Sequence, residues 1–280
     1  MKNSLLSDIT TRLSAISDTP ALEASVLIGH VTGKSRTWVL AHPELVLTAK
    51  QTEQLESSLS RLGKGEPFPY VLGHWEFFGI DFIVTPDVLI PRPETELLVE
   101  KAIDWLNKNL ERKSIADIGT GSGAIAISIA VNVSGATILA TDISPEALQV
   151  AKRNAEKHHV SRNIDLVECD LLPTHQGNGK KIDLLCANLP YIPTKSLEQL
   201  PVYEHEPALA LDGGEDGLEF HRRLLGMVPN WLASNGLILM EIDSTCGASA
   251  LNLVRNTLPG ATSILYQDFA GLDRLLEIRV

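Results

Sequence analysis

Short apolar segments alternate with amphipathic segments from Glu94 to the end of the chain. The apolar segments occupy residues 115–118, 137–142, 164–168, 182–187, 236–242, 262–267 and 274–280. Parallel strands that are buried on both faces have near-continuous apolar sequences, and they need long crossover connections, which are usually helical. The alternation therefore predicts an α/β fold, with a mostly parallel, doubly wound sheet covered by helices on both faces.

The first 72 residues show helical patterns only. Apolar residues at spacings of three and four mark one face of a first helix: Leu5, Ile9, Leu13 and Ile16. Pro20 after Asp18-Thr19 indicates a second helix start, and Thr48 with Gly63 brackets a third helix. We expect a small all-helical N-terminal domain, residues 1–72, that recognises the substrate.

Residues 66–93 differ in character from both flanking regions. They are rich in aromatic, β-branched and proline residues, and Phe78-Gly79-Ile80-Asp81 is typical of a turn between two short strands. We interpret this region as a β-hairpin linker, assigned to residues 73–93, which leaves residues 94–280 as the main α/β domain.

Composition excludes several classes of protein. The chain has 24 Lys and Arg against 35 Asp and Glu, a net charge of −11, which argues against stable binding to nucleic acid because that binding depends on cations. The three cysteines fit no metal spacing, so we expect no metal site. The sequence has neither a signal peptide nor an apolar run long enough for a membrane span, so we expect a cytoplasmic protein without membrane contact.

A glycine-rich run follows the first strand of the α/β region. The run Asp117-Ile118-Gly119-Thr120-Gly121-Ser122-Gly123 lies between a strand and a helix, where glycines let a ligand approach the backbone. Asp142 ends the next strand, where a carboxylate can accept both hydroxyls of a ribose. Asp170 follows the third strand at the same sheet edge and suits an adenine amino group. The combination favours an adenosyl ligand.

The tetrapeptide Asn188-Leu189-Pro190-Tyr191 directly follows the fourth strand of this region. It offers a side-chain carbonyl, a rigid proline and an aromatic ring. Such a set can orient a planar amide or an amino-heterocycle through both of its N–H donors.

Together these motifs resemble class I S-adenosylmethionine-dependent methyltransferases, in the branch that carries an Asn-Pro-Pro-Tyr motif and methylates planar nitrogens. Four further segments are similar to the peptide chain release factor N5-glutamine methyltransferases: Phe77-Phe78-Gly79, residues 89–96 (LIPRPETE), residues 206–218 (EPALALDGGEDGL) and residues 270–274 (AGLDR). The chain departs from the family pattern at Leu189, where the family has proline, and at Asp243 after Glu241-Ile242, where it has glycine.

The resemblance implies a Rossmann-like class I methyltransferase fold with S-adenosyl-L-methionine as cofactor. It implies methyl transfer to the side-chain amide nitrogen of the glutamine in the Gly-Gly-Gln motif of class-1 release factors, which would be the protein partners. The catalytic residues would be Asn188, Leu189, Pro190 and Tyr191, with the Asn188 Oδ1 and the Leu189 carbonyl accepting the amide hydrogens. The cofactor residues would be Gly119, Thr120, Gly121, Ser122, Gly123, Asp142, Asp170, Leu171 and Asn188.

Three alternatives remain open at this point. Asn-Leu-Pro-Tyr also resembles the motif of ribosomal RNA adenine dimethyltransferases, which would make the acceptor an adenine N6 in RNA or DNA. A glutamine of a ribosomal protein is a second acceptor of the same chemistry. A catalytically silent S-adenosylmethionine-binding adaptor is the third, and the presence of Asn188 and Tyr191 argues against it.

Overall fold

The structure, a computed structural model, describes residues 4–174, 181–197, 199–200 and 204–280. These residues divide into two compact units, the first ending at His74 and the second beginning at Trp75. The described α-helices are α1 (Leu5–Leu13), α2 (Pro20–Thr32), α3 (Arg36–Ala41), α4 (Ala49–Leu62), α5 (Phe68–Leu72), α6 (Glu96–Lys108), α7 (Ala124–Asn132), α8 (Pro145–Lys157), α9 (Thr194–Leu197), α10 (Glu219–Trp231) and α11 (Gly247–Thr257). The described strands are β1 (His74–Phe77), β2 (Ile80–Ile83), β3 (Ser114–Ile118), β4 (Thr137–Asp142), β5 (Ile164–Glu168), β6 (Ile182–Ala187), β7 (Leu232–Glu241), β8 (Thr262–Gln267) and β9 (Asp273–Arg279).

The first unit is helical, as the sequence periodicity predicts. Helix α4 begins with a capping box, because the Thr48 hydroxyl accepts from the Gln51 N–H while the Gln51 side chain accepts from the Thr48 N–H. Ile9 and Leu13 of α1 are buried in the core of this unit. Ile16 is not on that face: α1 ends at Leu13, and Ile16 is 52% exposed.

A short helix directly precedes the hairpin, which was assigned to residues 73–93. Residues 68–72 form α5, with Pro67 as its N-cap and Pro69 in its first turn. Proline is well tolerated at a helix start because its φ already has the helical value. Gly73 has φ +75° and ends the helix in the left-handed conformation, so the hairpin starts only at His74.

Strands β1 and β2 form the predicted hairpin around a two-residue turn. Phe78 and Gly79 have φ values of +52° and +70°, the signs that hairpin turns matching the twist of the strands require. Phe77 and Phe82 are buried in the core that surrounds α6 and α7. The hairpin therefore contributes to the core of the second unit.

The second unit contains a seven-stranded sheet in the order β5-β4-β3-β6-β7-β9-β8. The pairs from β5 to β7 are parallel, and β9 runs antiparallel to both of its neighbours. This confirms the predicted mostly parallel, doubly wound sheet. The strand order reverses between β3 and β6, so a crevice forms at the carboxyl ends of these two strands, where ligands bind in such folds.

Buried apolar side chains cover both faces of the sheet and form two clusters. One cluster includes Leu98 and Val99 of α6, and the other includes Leu224 and Leu225 of α10. Packing on both faces explains the near-continuous apolar sequence of β3 and β6. Among the described residues, no helix is long and apolar enough to cross a membrane.

Candidate active site

The glycine-rich run forms a tight turn between β3 and α7. Gly119, Gly121 and Gly123 have φ values of +70°, +54° and +81°, a region that other residues enter at a cost. A Cβ on Gly119 would lie 3.2 Å from the Leu189 Cδ2, and a Cβ on Gly123 would lie 2.8 Å from the Ile127 Cδ1. The run therefore favours glycine for its conformation, and at Gly119 and Gly123 its backbone also packs closely against neighbouring side chains.

Asp117 stabilises this turn through two hydrogen bonds. Its Oδ2 accepts hydrogen bonds from the Thr120 hydroxyl (2.6 Å) and from the Ala126 N–H (3.1 Å). Burial raises the pKa of Asp117 to about 6, against the opposing effect of these hydrogen bonds. Asp117 thus links β3, the turn and the first residues of α7.

Asp142 connects the end of β4 to the same turn. Its Oδ2 accepts from the Gly121 N–H at 2.8 Å and its Oδ1 accepts from the Ser144 N–H at 2.9 Å. Burial raises its pKa. Each carboxylate oxygen can accept a second hydrogen bond, which leaves Asp142 able to receive hydroxyl groups of a ligand.

Asp170 and Leu171 follow β5. Asp170 forms an ion pair with Arg223 of α10, and both side chains are close to half exposed. Leu171 has φ +63°, and its carbonyl accepts from the Thr141 hydroxyl at 2.6 Å. The ion pair was not predicted from the sequence, because Arg223 lies 53 residues further along the chain.

The residues of the tetrapeptide have different partners. The Asn188 Nδ2 donates to the Thr95 hydroxyl at 3.0 Å, and the Tyr191 hydroxyl donates to the Glu241 Oε1 at 3.1 Å. Leu189 is 3% exposed, and its side chain packs over Gly119. The leucine that replaces the family's proline therefore fills the space above the glycine turn.

Most of the predicted site residues line one pocket at the reversal of strand order. The pocket walls include Gly119, Thr120, Gly121, Ser122, Asp142, Asp170, Leu171, Asn188, Leu189 and Pro190. Gly123 and Tyr191 do not line it: Gly123 packs between α7 and α8, and Tyr191 is bound to Glu241. The structure thus brings together residues that are up to 71 positions apart in the sequence.

Glu206 holds one wall of this pocket in place. Its side chain is buried, forms an ion pair with Arg92 and accepts from the Ile90 N–H at 3.1 Å. Pro91, Arg92 and the adjacent Pro207 line the pocket. Glu206 therefore joins the segment before α6 to the segment that follows residue 203.

Two residues of the site were not assigned a role from the sequence. Thr95, just before α6, and Glu241, at the end of β7, are bonded to each other at 2.7 Å and are both buried. Burial raises the pKa of Glu241 to about 7. A charged residue at the end of the apolar strand segment Leu237–Met240 is the signal that could have identified Glu241, whereas Thr95 carries no such signal.

Comparison with known families covers both units of the chain. The family described as PrmC N-terminal domain matches residues 4–73, and the family described as ribosomal protein L11 methyltransferase matches residues 94–199.

Solved structures resemble the fold. A ribosomal protein L11 methylase from Lactobacillus delbrueckii subsp. bulgaricus has a TM-score of 0.51 at 21% identity, covering 70% of this chain and 82% of its own. An S-adenosylmethionine-dependent methyltransferase from Agrobacterium tumefaciens has a TM-score of 0.52 at 14% identity, covering 74% and 69%. The expected class I methyltransferase fold is confirmed.

Curated relatives match the chain over most of its length. The release factor glutamine methyltransferase of Moorella thermoacetica is 42% identical over 256 residues, which are 91% of this chain and 89% of the relative. The protein of the same name from Coxiella burnetii is 38% identical over 279 residues, 97% of this chain and 96% of the relative. With this similarity over both units, the chain belongs to the release factor glutamine methyltransferase family.

Proposed function

We propose that this chain transfers a methyl group from S-adenosyl-L-methionine to the side-chain amide nitrogen of the glutamine in the Gly-Gly-Gln motif of class-1 peptide chain release factors. The observation that carries the proposal is the orientation of Asn188 beside the glycine turn. Its Nδ2 donates to Thr95, so Oδ1 is the end of the amide that can accept from a substrate. The name of the relatives agrees with this substrate.

The residues at the carboxyl ends of β3, β4 and β5 fit the cofactor. The glycine turn has positive φ at Gly119, Gly121 and Gly123, and Gly119, Gly121 and the Asp142 carboxylate line the pocket. Asp142 would accept the ribose hydroxyls, and Asp170 with Leu171 would contact the adenine. When bound, S-adenosyl-L-methionine supplies an electrophilic methyl group on a sulfonium.

Asn188 and Leu189 would prepare the acceptor nitrogen. An amide nitrogen is a poor nucleophile because its lone pair is delocalised into the carbonyl group. The Asn188 Oδ1 and the Leu189 carbonyl would each accept one amide N–H, which aligns the nitrogen and favours the positive charge that develops on it. The nitrogen then loses one proton to water or by way of Asn188, which leaves a neutral methylated amide.

The helical unit that ends at His74 would recognise the protein substrate. Its described residues form helices and contain no glycine-rich run between a strand and a helix, so we expect the cofactor to bind in the second unit. Since release factors act in translation, the reaction belongs in the cytoplasm.

A transfer assay with labelled S-adenosyl-L-methionine tests the proposal. A release factor, a ribosomal protein and an RNA are offered separately, and initial rates are compared for the same chain. We expect label in the release factor alone, and none in a release factor whose Gly-Gly-Gln glutamine is changed to alanine. Label in the RNA would favour an adenine acceptor, and label in the ribosomal protein would favour the other glutamine substrate.

A further inference from the structure

A buried chain of hydrogen bonds lies behind Asn188. The Thr95 Oγ1 lies 3.0 Å from the Asn188 Nδ2 and 2.7 Å from the Glu241 Oε2. The other carboxylate oxygen of Glu241 lies 3.1 Å from the Tyr191 Oη. Thr95 and Glu241 are 4% and 2% exposed, so water does not compete for these contacts.

The number of available hydrogens fixes the direction of each bond. An ionised carboxylate has no hydrogen to donate, so the Thr95 and Tyr191 hydroxyls must both donate to Glu241. The Thr95 hydroxyl has a single hydrogen, so toward Asn188 its oxygen can only accept. Asn188 must therefore present its NH2 group to Thr95 and turn Oδ1 the other way.

The reversed orientation of Asn188 would be costly at both ends. Its Oδ1 would face a Thr95 oxygen that has already used its hydrogen. Its NH2 group would face the substrate amide, so that two donors would meet without an acceptor between them. A buried donor or acceptor that lacks a partner is strongly disfavoured.

We propose that Glu241 and Thr95 are positioning residues for methyl transfer: Glu241, acting through Thr95, sets the direction of the Asn188 amide. This inference rests on the proposed function of Asn188 as an acceptor for the substrate amide. The residues of this hydrogen-bond network come from three separate parts of the fold: the segment before α6, the segment after β6 and the end of β7.

The hydrogen-bond directions given above require an ionised Glu241, and the surroundings of Glu241 determine the pH range in which it is ionised. Burial raises its pKa to about 7, and Glu94 raises it further, while Thr95, Tyr191 and Arg274 lower it. His221 Nε2 lies 2.8 Å from the backbone carbonyl of Glu241. Below this pH the carboxyl group has a hydrogen of its own and no longer forces Thr95 to donate.

The variant Thr95→Val tests the inference because it removes the hydroxyl and keeps the shape of the side chain. We expect kcat on the release factor to fall by about 10- to 100-fold, with an unchanged dissociation constant for S-adenosyl-L-methionine. Thr95→Ser restores the hydroxyl and should keep kcat within about threefold of the unmodified chain. Ser128→Ala, which removes a buried hydroxyl from α7, is the matched control and should leave kcat unchanged.

A double-variant cycle separates positioning from a structural effect. If Thr95 acts only through Asn188, Thr95→Val should cause no further loss of kcat in a chain that already carries Asn188→Ala. A further loss of the same size as in the unmodified chain would overturn the inference. So would unchanged kcat in the Thr95→Val variant of a chain that methylates the release factor. Absence of glutamine methylation by the unmodified chain would overturn the proposed function instead.

Glu241→Gln gives a second test if Thr95→Val fails to fold. A glutamine side chain can either donate to or accept from Thr95, so both orientations of Asn188 become available. We expect a lower kcat and the disappearance of the decrease in kcat that the unmodified chain shows below about pH 7. Unchanged kcat together with an unchanged pH profile would overturn the inference.

Discussion

The side chains proposed to act on the acceptor amide carry no charge, so their effect depends on direction. Asn188 and the Leu189 carbonyl offer dipoles that help only when they are aimed at the amide hydrogens. The Asn188 Nδ2 donates to Thr95 in the segment before α6, and the Leu189 side chain packs over Gly119. Only the residue types were accessible from the sequence, because these partners lie 93 and 70 positions away.

Replacing Asn188 by alanine should slow methyl transfer strongly and change cofactor affinity little, because the glycine turn and Asp142 would hold most of the cofactor. The change removes one of two acceptors that align the amide, which costs about 10²- to 10³-fold in turnover for a single preorganised group. Steady-state kinetics on the release factor and calorimetry with S-adenosyl-L-methionine measure the two effects. Asn109→Ala, at the end of α6, is the matched control. A loss of cofactor affinity equal to the loss of turnover would remove Asn188 from the acceptor role.

Replacing Asp142 by alanine should mainly weaken the binding of the cofactor. The change removes the proposed ribose acceptor and leaves the Gly121 N–H without its partner. We expect binding of S-adenosyl-L-methionine to weaken by about 2–4 kcal/mol, since charge-assisted hydrogen bonds contribute about 1.5–3 kcal/mol each. Calorimetry compares this variant with Asp165→Ala on the exposed side of β5. Equal affinities in the two variants would contradict the assignment of Asp142.

The titration of Glu241 should make stability depend on pH. Its pKa is raised from 4.5 to about 7 by burial, so the folded chain binds this proton more tightly than the unfolded chain does. The contribution to the free energy of unfolding is fully present below pH 4.5 and is lost as the pH rises through 7. The loss is on the order of 3 kcal/mol. Urea unfolding at pH 5 and pH 8 measures it, and Glu241→Gln should lose less stability over this interval. An equal loss in both chains would contradict the assignment.

At the scale of elements, the strand pattern was predictable and the contacts between elements were not. The apolar segments gave the strands of the large sheet because burial on both faces leaves a plain signal in the sequence. Residues 68–72 combine aromatic residues, which favour a strand, with Pro67 and Pro69, which set the φ values of a helix start, and they form α5. No local sequence pattern predicts the contact between the β1–β2 hairpin and α8. Asn154 contributes to it through two hydrogen bonds that its amide exchanges with the backbone of Ile83, beside the contacts of Lys157 and His158 with Asp81.

Asn154→Ala should therefore weaken the second unit more than a typical asparagine substitution. Asn154 is fully buried and also donates to the Ser122 carbonyl at 2.9 Å. The change removes the side-chain partner of the part-buried N–H and C=O groups of Ile83 and of the buried Ser122 carbonyl, and a buried group without a partner costs about 1–3 kcal/mol. Chemical unfolding should show a loss of about 3–5 kcal/mol. Asn163→Ala, which removes a single bond to the Ala136 carbonyl, is the comparison, and a loss no greater than its own would refute the expectation.

At the scale of the whole molecule, the motifs were sufficient to predict which residues meet at the carboxyl edge of the sheet. Glycines after β3, Asp142 at the end of β4 and Asn188 after β6 meet there because parallel strands end at one edge. The hydrogen bond between Thr95 and Glu241 could not be predicted from the sequence, because it depends on how the start of α6 packs against the end of β7. The net charge of −11 agrees with a protein rather than a nucleic acid as substrate.

If this chain methylates a glutamine amide nitrogen, the atom that receives the methyl group can be identified directly. A release factor is incubated with the chain and labelled S-adenosyl-L-methionine, and its peptides are then sequenced by mass spectrometry and hydrolysed in acid. We predict one added methyl on the glutamine of the Gly-Gly-Gln peptide and release of labelled methylamine, because hydrolysis of an N-methyl amide frees that amine. Label that stays on another residue, or that enters only RNA, would contradict the account.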